Sequence, residues 1–257
     1  MEQRASIMEA IRLAGSIILE NGGETYRVED TVQRLGLALG AEDAQAFAVT
    51  SGVFITLTFP DGDIETKVYR AHRGGTQLDK VDAVNQVSRR AAEGLIGPQE
   101  VLAELKAIKK NGSCFSPGWL VLACAFSSAA FAVMFGGGWV DFLMGFVTGI
   151  AVQCLLGWLD RFQYSQVLQS LLGGALCMVI PTVFNHLTGL GVVDAMVAGT
   201  LMPLLPGVAM TNAVQDFMRG DMLSGVGHAM QALLTAALIA AGGVAATRLL
   251  LVLEGVL

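Results

Sequence analysis

A polar stripe runs along the last apolar stretch of this chain. Asp221, Ser224, His228, Gln231 and Thr235 are spaced three, four, three and four residues apart, so on a helix they share one face. Exposed to lipid such a stripe would be costly, so it is expected to face protein or water. Histidine ionises near neutral pH, which makes His228 the candidate for a proton-linked switch; a hydrogen-bonded core histidine is the competing reading. Asp221 alone reads as a helix N-cap, its oxygen accepting from the N–H of Leu223 or Ser224.

The stretch just before it, LMPLLPGVAMTNAVQDFMRGD at 201–221, interrupts an apolar run with two prolines. Pro203 and Pro206 each remove a backbone donor and clash with the preceding turn. Within lipid an unpaired backbone group is expensive, so a break is tolerated only where protein or cavity water satisfies it. A helix restarting at Gly207 would present free N–H groups, a partial positive charge suited to an anion such as a carboxylate. Thr211 and Asn212 follow within two turns, and Asn212 and Asp216, four apart, share a face. The expected substrate site is therefore Pro203, Pro206, Gly207, Thr211, Asn212, Asp216, Ser224, His228 and Gln231. Asp216 and His228 are its titrating pair. The plainer alternatives are a Pro-kinked packing helix and an Asp216 that pairs with Arg219.

Other polar residues carry less. Gly145-Phe-Val-Thr-Gly149 allows close helix approach. Pro181, Asn185 and His186 mark either a kink with a polar wall or a helix end, and Asp194 reads as an N-cap. Ser51 and His72 are types a hydrolase uses, but nothing in the sequence places them together. No nucleophile–base pair, metal cluster or cofactor motif is visible, so no enzyme, metal or cofactor is expected. Cys114, Cys124, Cys154 and Cys177 form no CxxC pair and read as reduced packing residues.

Composition sets these residues in a membrane. The 257 residues are 53% hydrophobic and 15% charged, with mean hydropathy +0.58, where soluble domains run nearer a quarter charged. Thirteen of the sixteen Lys and Arg fall within 1–113. The expected organisation is a water-facing α+β domain at 1–113 and an all-α membrane domain at 114–257. The net charge of −6 argues against a nucleic-acid partner. The first stretch, MEQRASIMEAIRLAGSIILENGG, is an amphipathic helix rather than a signal peptide.

The soluble part reads as two helices, a hairpin or small sheet, and two helices. Ile7, Ile11, Ala14 and Ile18 mark the first helix. Val28, Val32, Leu35 and Leu39 mark the second, with Thr25 as its cap. Val53, Ile55, Leu57 and Phe59 alternate with polar or exposed partners in a half-buried strand, and Ser51-Gly52 reads as a bulge or turn. Pro60-Asp61-Gly62-Asp63 turns the chain into IETKVYR. LDKVDAVNQVSRRAAEGL and PQEVLAELKAIKK are helices, Pro98 opening the second, and Asn111-Gly112-Ser113 is the linker.

Apolar spans are expected at about 118–135, 139–158, 167–188, 192–217 and 222–252, each near or above the roughly 20 residues a bilayer needs. Lys106, Lys109, Lys110, Arg161 and Arg219 fall on one side of these five spans, putting the N-terminus in the cytoplasm and the C-terminus outside. Arg248 dissents; it can snorkel or pair with Glu254. Five spans without an internal repeat suggest half of an inverted-pair machine.

ENGGETYRVEDT at 20–31, LDKVDAVNQVSRR at 78–90 and LPGVAMTNAVQDFMRGDMLSGVGHAMQALL at 205–234 together resemble the threonine/serine exporter family. The likeness covers nearly the whole chain and is nearest to the larger subunit of its two-subunit branch, which includes bacterial succinate exporters. The resemblance implies a cytoplasmic N-terminal domain, about five spans in the bacterial inner membrane, and a smaller all-membrane homologous subunit as partner. The expected function is export of a small carboxylate, either threonine or serine or a dicarboxylate such as succinate. A membrane sensor with a cytoplasmic signalling domain is the alternative, disfavoured by the absence of a recognisable output module.

Overall fold

The computed structural model describes residues 2–71, 75–112 and 114–254. Ten α-helices and three strands are seen among them. They form two compact units: Met1–Cys114 with Val208–Ala229, and Phe115–Gly207 with Met230–Leu257.

In the first unit, α1 (Glu2–Glu20) and α2 (Thr25–Ala38) pack on one face of an antiparallel meander, β1 (Asp43–Val49), β2 (Gly52–Thr58) and β3 (Ile64–Arg70), while α3 (Leu78–Ala92) and α4 (Pro98–Lys110) pack on α1 and α2. The stretch 44–59 is thus two strands. The chain reverses at Thr50-Ser51, and Ala48 pairs with Val53 and Phe47 with Phe54. Alternation decides which side chains turn inward. Val53, Ile55 and Leu57 are fully buried and share one core with Ile11, Ile18, Val28, Val32 and Leu35 of α1 and α2. Each such side chain contributes about 1.5–3 kcal/mol when removed from water. Pro98 opens α4 as expected. Thr25 does not cap α2: Glu24 holds the N-cap position, and the Thr25 hydroxyl is used elsewhere. His72 and Ser113 lie outside the described residues, and Ser51 sits exposed in its turn.

Two further elements belong to this unit. Helix α9 (Gly207–Arg219) and the first turns of α10 (Met222–Glu254) form a helical hairpin closed at Gly220, whose φ of 83° favours glycine.

The second unit holds α5 (Pro117–Met134), α6 (Trp139–Arg161), α7 (Gln166–Thr188), α8 (Val193–Leu201) and the rest of α10. Helices α5, α6, α7 and α10 are long and apolar enough to cross a bilayer. Counting Val193–Leu204 with Gly207–Arg219 as one bent span gives a fifth. The expected break is present: α8 tightens into a 3-10 turn at Met202–Leu204, and Leu205 is extended before Pro206. Small residues let these helices touch. A Cβ on Gly149 of α6 would lie 2.8 Å from the Ala125 Cα of α5, and one on Gly242 of α10 would overlap the Leu171 carbonyl of α7. Lipid supplies no hydrophobic drive between helices, so close backbone contact of this kind is what holds them.

One cap reading changes here, and one of the two readings of Asn185 holds. Asp194 lies in the first turn of α8 with Val192 at the N-cap, and no side chain caps it. Asn185 serves the end of α7, its amide donating to the Leu190 and Gly191 carbonyls at 3.1 and 3.2 Å. Asp141 was not singled out by sequence. It is 2% exposed and accepts from the N–H groups of Gly138 at 2.7 Å and Val192 at 2.6 Å. All four cysteines are free; Cys177 alone is buried, its thiol donating to the Thr200 carbonyl. The side chain of Glu254 lies outside the described residues, so the Arg248 pairing is not addressed.

Candidate functional site

The α9–α10 hairpin positions a buried polar cluster. Asp221 caps α10 as expected, Oδ1 accepting from Ser224 N–H at 3.2 Å. The turn is tied back by Asp221 N–H on the Asp216 carbonyl at 2.9 Å. This geometry faces one turn of α9 toward one turn of α10. Asp216, with no exposed surface, meets His228 Nδ1 through Oδ2 at 2.8 Å. Its other oxygen accepts from the Thr25 hydroxyl of α2 at 3.0 Å, and the same hydroxyl lies 3.3 Å from Asp221 Oδ2.

The hairpin is fastened at further points. The Asn212 amide donates to the Gly22 carbonyl at 3.3 Å, and the Ser224 hydroxyl reaches the Ala48 carbonyl at 3.5 Å. Gly227 allows the approach to the turn after β1: a Cβ there would come 2.8 Å from Thr50 Oγ1. Glu29 of α2 accepts from Ala48 N–H at 2.9 Å. Burial pushes the Glu29 carboxyl above its ordinary range; its backbone bond opposes this, and the nearby Asp221 and Asp216 add to it.

Arg219 does not pair with Asp216. Its guanidinium lies 3.5 Å from the centroid of the Tyr26 ring, a cation–π contact, while Asp216 is taken by Thr25 and His228. The geometry limits the chemistry of the pair. An ionised carboxylate only accepts, so in that form Asp216 Oδ2 takes a hydrogen bond from His228 Nδ1. A carboxylate that orients an imidazole in this way fixes its tautomer.

Beside the cluster, wholly within the first unit, is an open cleft of about 340 Å³. Glu24 and Arg27 line it from α2, Asp82 and Asn85 from α3, and Asn212 with Gln215 from α9. Thr211 also borders it, its hydroxyl donating to the Val208 carbonyl.

Asn212, Asp216, Ser224 and His228 are thus assembled in one place, with Thr211 at its rim. Pro203, Pro206, Gly207 and Gln231 fall in the second unit. Gly207 begins α9, and its N–H is bonded to the Leu205 carbonyl at 2.8 Å, which occupies one donor expected to be open. Thr25, Glu29 and the Gly22 carbonyl were missed as site groups. Thr25 lies inside the 20–31 motif, the only sequence signal that could have marked it. Among the described residues no group of three or more His, Cys, Asp or Glu is arranged to hold a metal.

Four apolar helices of bilayer-crossing length, with a fifth bent span, mark a multi-pass membrane protein. The chain belongs to the threonine/serine exporter family, a family of transporters rather than enzymes: residues 9–250 match the profile described as "Putative threonine/serine exporter". It is 28% identical over 251 residues to the "Probable succinate transporter subunit YjjP" of Escherichia coli (strain K12), covering 92% of each chain. The protein of the same description from Klebsiella aerogenes is 26% identical, over 92% of this chain and 91% of that one. The "Threonine/serine exporter" of Corynebacterium glutamicum is 21% identical over 93% of this chain but only 50% of its own length. No solved structure matches the chain significantly.

Proposed function

We propose that this chain is one subunit of an exporter of small carboxylates, threonine or serine or a dicarboxylate such as succinate. It works with a smaller all-membrane subunit in the bacterial inner membrane, its N-terminus in the cytoplasm. The observation that carries this reading is the buried Asp216–His228 pair beside a polar cleft, in a member of an exporter family. Substrate binds beside Asn212 and Thr211, and Asp216 with His228 carries the coupling proton. Ser224 supports the pair. Pro203, Pro206 and Gly207 form the break through which α9 leaves the apolar run, and Gln231 continues the polar face of α10 along the path. Three features support the need for a partner: the "subunit" in the name of the relatives, the half-length match to the Corynebacterium exporter, and spans without an internal repeat.

The test is flux of labelled threonine, serine and succinate from liposomes holding this chain alone or with a co-expressed small membrane partner. The expected result is flux only with both. Robust flux from this chain alone would remove the partner, and no flux of any of the three acids with both would remove the exporter.

A further inference from the structure

The cleft beside Asp216 has a charge pattern that neither the family match nor the buried pair explains. Three stretches far apart in sequence wall it, at 22–27, 78–85 and 208–215, and each falls within one of the motifs that carry the family resemblance. Its volume of about 340 Å³ suits a ligand of a few carbons.

Glu24 grips Arg27 at Nε, 2.6 Å, and Nη2, 3.2 Å. The Tyr26 hydroxyl takes a further contact at Nη2, 3.4 Å. Nη1 has no hydrogen-bond partner among the described residues. Arg27 in turn holds the Glu24 carboxyl below its ordinary range, so the two charges offset each other. Asp82 is exposed, with Oδ2 accepting from the Gln86 amide at 2.7 Å and Oδ1 open. Asn85, one helical turn on, is half-buried and its amide has no partner among the described residues. The charged lining groups, Glu24, Arg27 and Asp82, sum to −1. A dianion would bring a second carboxylate toward Asp82 with no cation left to meet it. A zwitterion meets an unused guanidinium donor with its carboxylate and an open carboxylate with its ammonium.

We infer that Arg27, Asp82 and Asn85 of the N-terminal unit are specificity-determining residues of this cleft, and that it selects a small zwitterion bearing a carboxylate and an ammonium over a dicarboxylate. Arg27 takes the carboxylate, Asp82 the ammonium, and Asn85 a further oxygen. This rests on the exporter reading for its role in transport, though not for binding itself.

The experiment is equilibrium dialysis of labelled L-threonine and labelled succinate against the purified full chain in detergent, beside flux measured with the partner. Wild type is expected to bind threonine at least ten-fold more tightly than succinate. Arg27→Gln is expected to weaken threonine binding ten-fold or more, with Arg27→Lys recovering part of it. Asp82→Asn, at an exposed helix position, is expected to weaken threonine and strengthen succinate, narrowing the preference without moving the melting temperature. A purely structural role would not change that ratio. Wild type that binds neither acid, or equal preference left unchanged in Asp82→Asn, overturns the inference. Normal flux in all three variants also overturns it while leaving the exporter intact. Threonine binding lost in Arg27→Gln, with no flux from the wild-type complex, upholds the cleft and removes the exporter.

Discussion

Replacing Asp216 by Ala tests the cluster most directly. The side chain has no exposed surface and joins three segments through Thr25 Oγ1 at 3.0 Å and His228 Nδ1 at 2.8 Å. Truncation leaves a buried hydroxyl and an imidazole without that acceptor. Each orphaned group costs about 1–3 kcal/mol. His228 keeps some contact with solvent, its side chain being 13% exposed, and the Thr25 hydroxyl retains Asp221 as a weaker acceptor. The expected total is therefore about 2–4 kcal/mol. At about 2–4 °C per kcal/mol for a chain of this size, melting should fall by roughly 5–15 °C. Asp216→Asn preserves the shape and one acceptor, so it should lose less. The assay is circular dichroism melting of detergent-purified protein, run as a double-mutant cycle with His228→Ala. A coupling of about 1 kcal/mol or more between the two positions is expected. Additive effects, or an Asp216→Ala protein melting within a degree of wild type, would refute the cluster as described. On the exporter reading, Asp216→Asn should also retain exchange of substrate for substrate while losing accumulation driven by a pH gradient. Loss of both at normal abundance, or retention of both, would contradict the proton role.

Glu29 gives a prediction of pH dependence. Its raised pKa means that folding disfavours the ionised form, so its stabilising contribution is present below the ordinary glutamate range and is lost as pH rises through the raised value. Glu29→Gln should melt above wild type at pH 7.5, and the difference should shrink as pH falls and vanish only below the ordinary glutamate value of 4.5; a destabilised variant at pH 7.5 would show the sign is wrong. In the bundle, Gly242→Ala drives a methyl into the Leu171 carbonyl and should cost about 1–3 kcal/mol. Gly157→Ala, which meets nothing within 4 Å, should leave melting unchanged or slightly higher; equal effects at the two sites would rule out the close α7–α10 contact. Reporter fusions at each end should show a cytoplasmic N-terminus and an external C-terminus, and a reporter active in the cytoplasm at Leu257 would show that the number of spans is even.

Particular residues mark how far the sequence reaches. Ile7, Ile11, Ala14 and Ile18 announced α1 because a helix brings residues three and four apart onto one face, whatever lies elsewhere. The alternation at Val53–Phe59, the break at Pro203–Pro206, the Asp221 cap and the membrane-length runs are local in the same sense, each decided by neighbours a few bonds away. So was the shared face of Asn212 and Asp216. What that face would meet was not local. Thr25 and Asp216 are 191 residues apart, and only the docking of α9 beside α2 joins them, which is why Thr25 read as a cap. Arg219, three residues after Asp216, looked like its ion-pair partner. Tertiary packing instead placed the Tyr26 ring beneath its guanidinium, leaving the carboxylate to Thr25 and His228. Residue spacing along one helix fixes which groups can act together; which groups oppose them depends on how separate surfaces fit, and that is settled by the burial of the whole core.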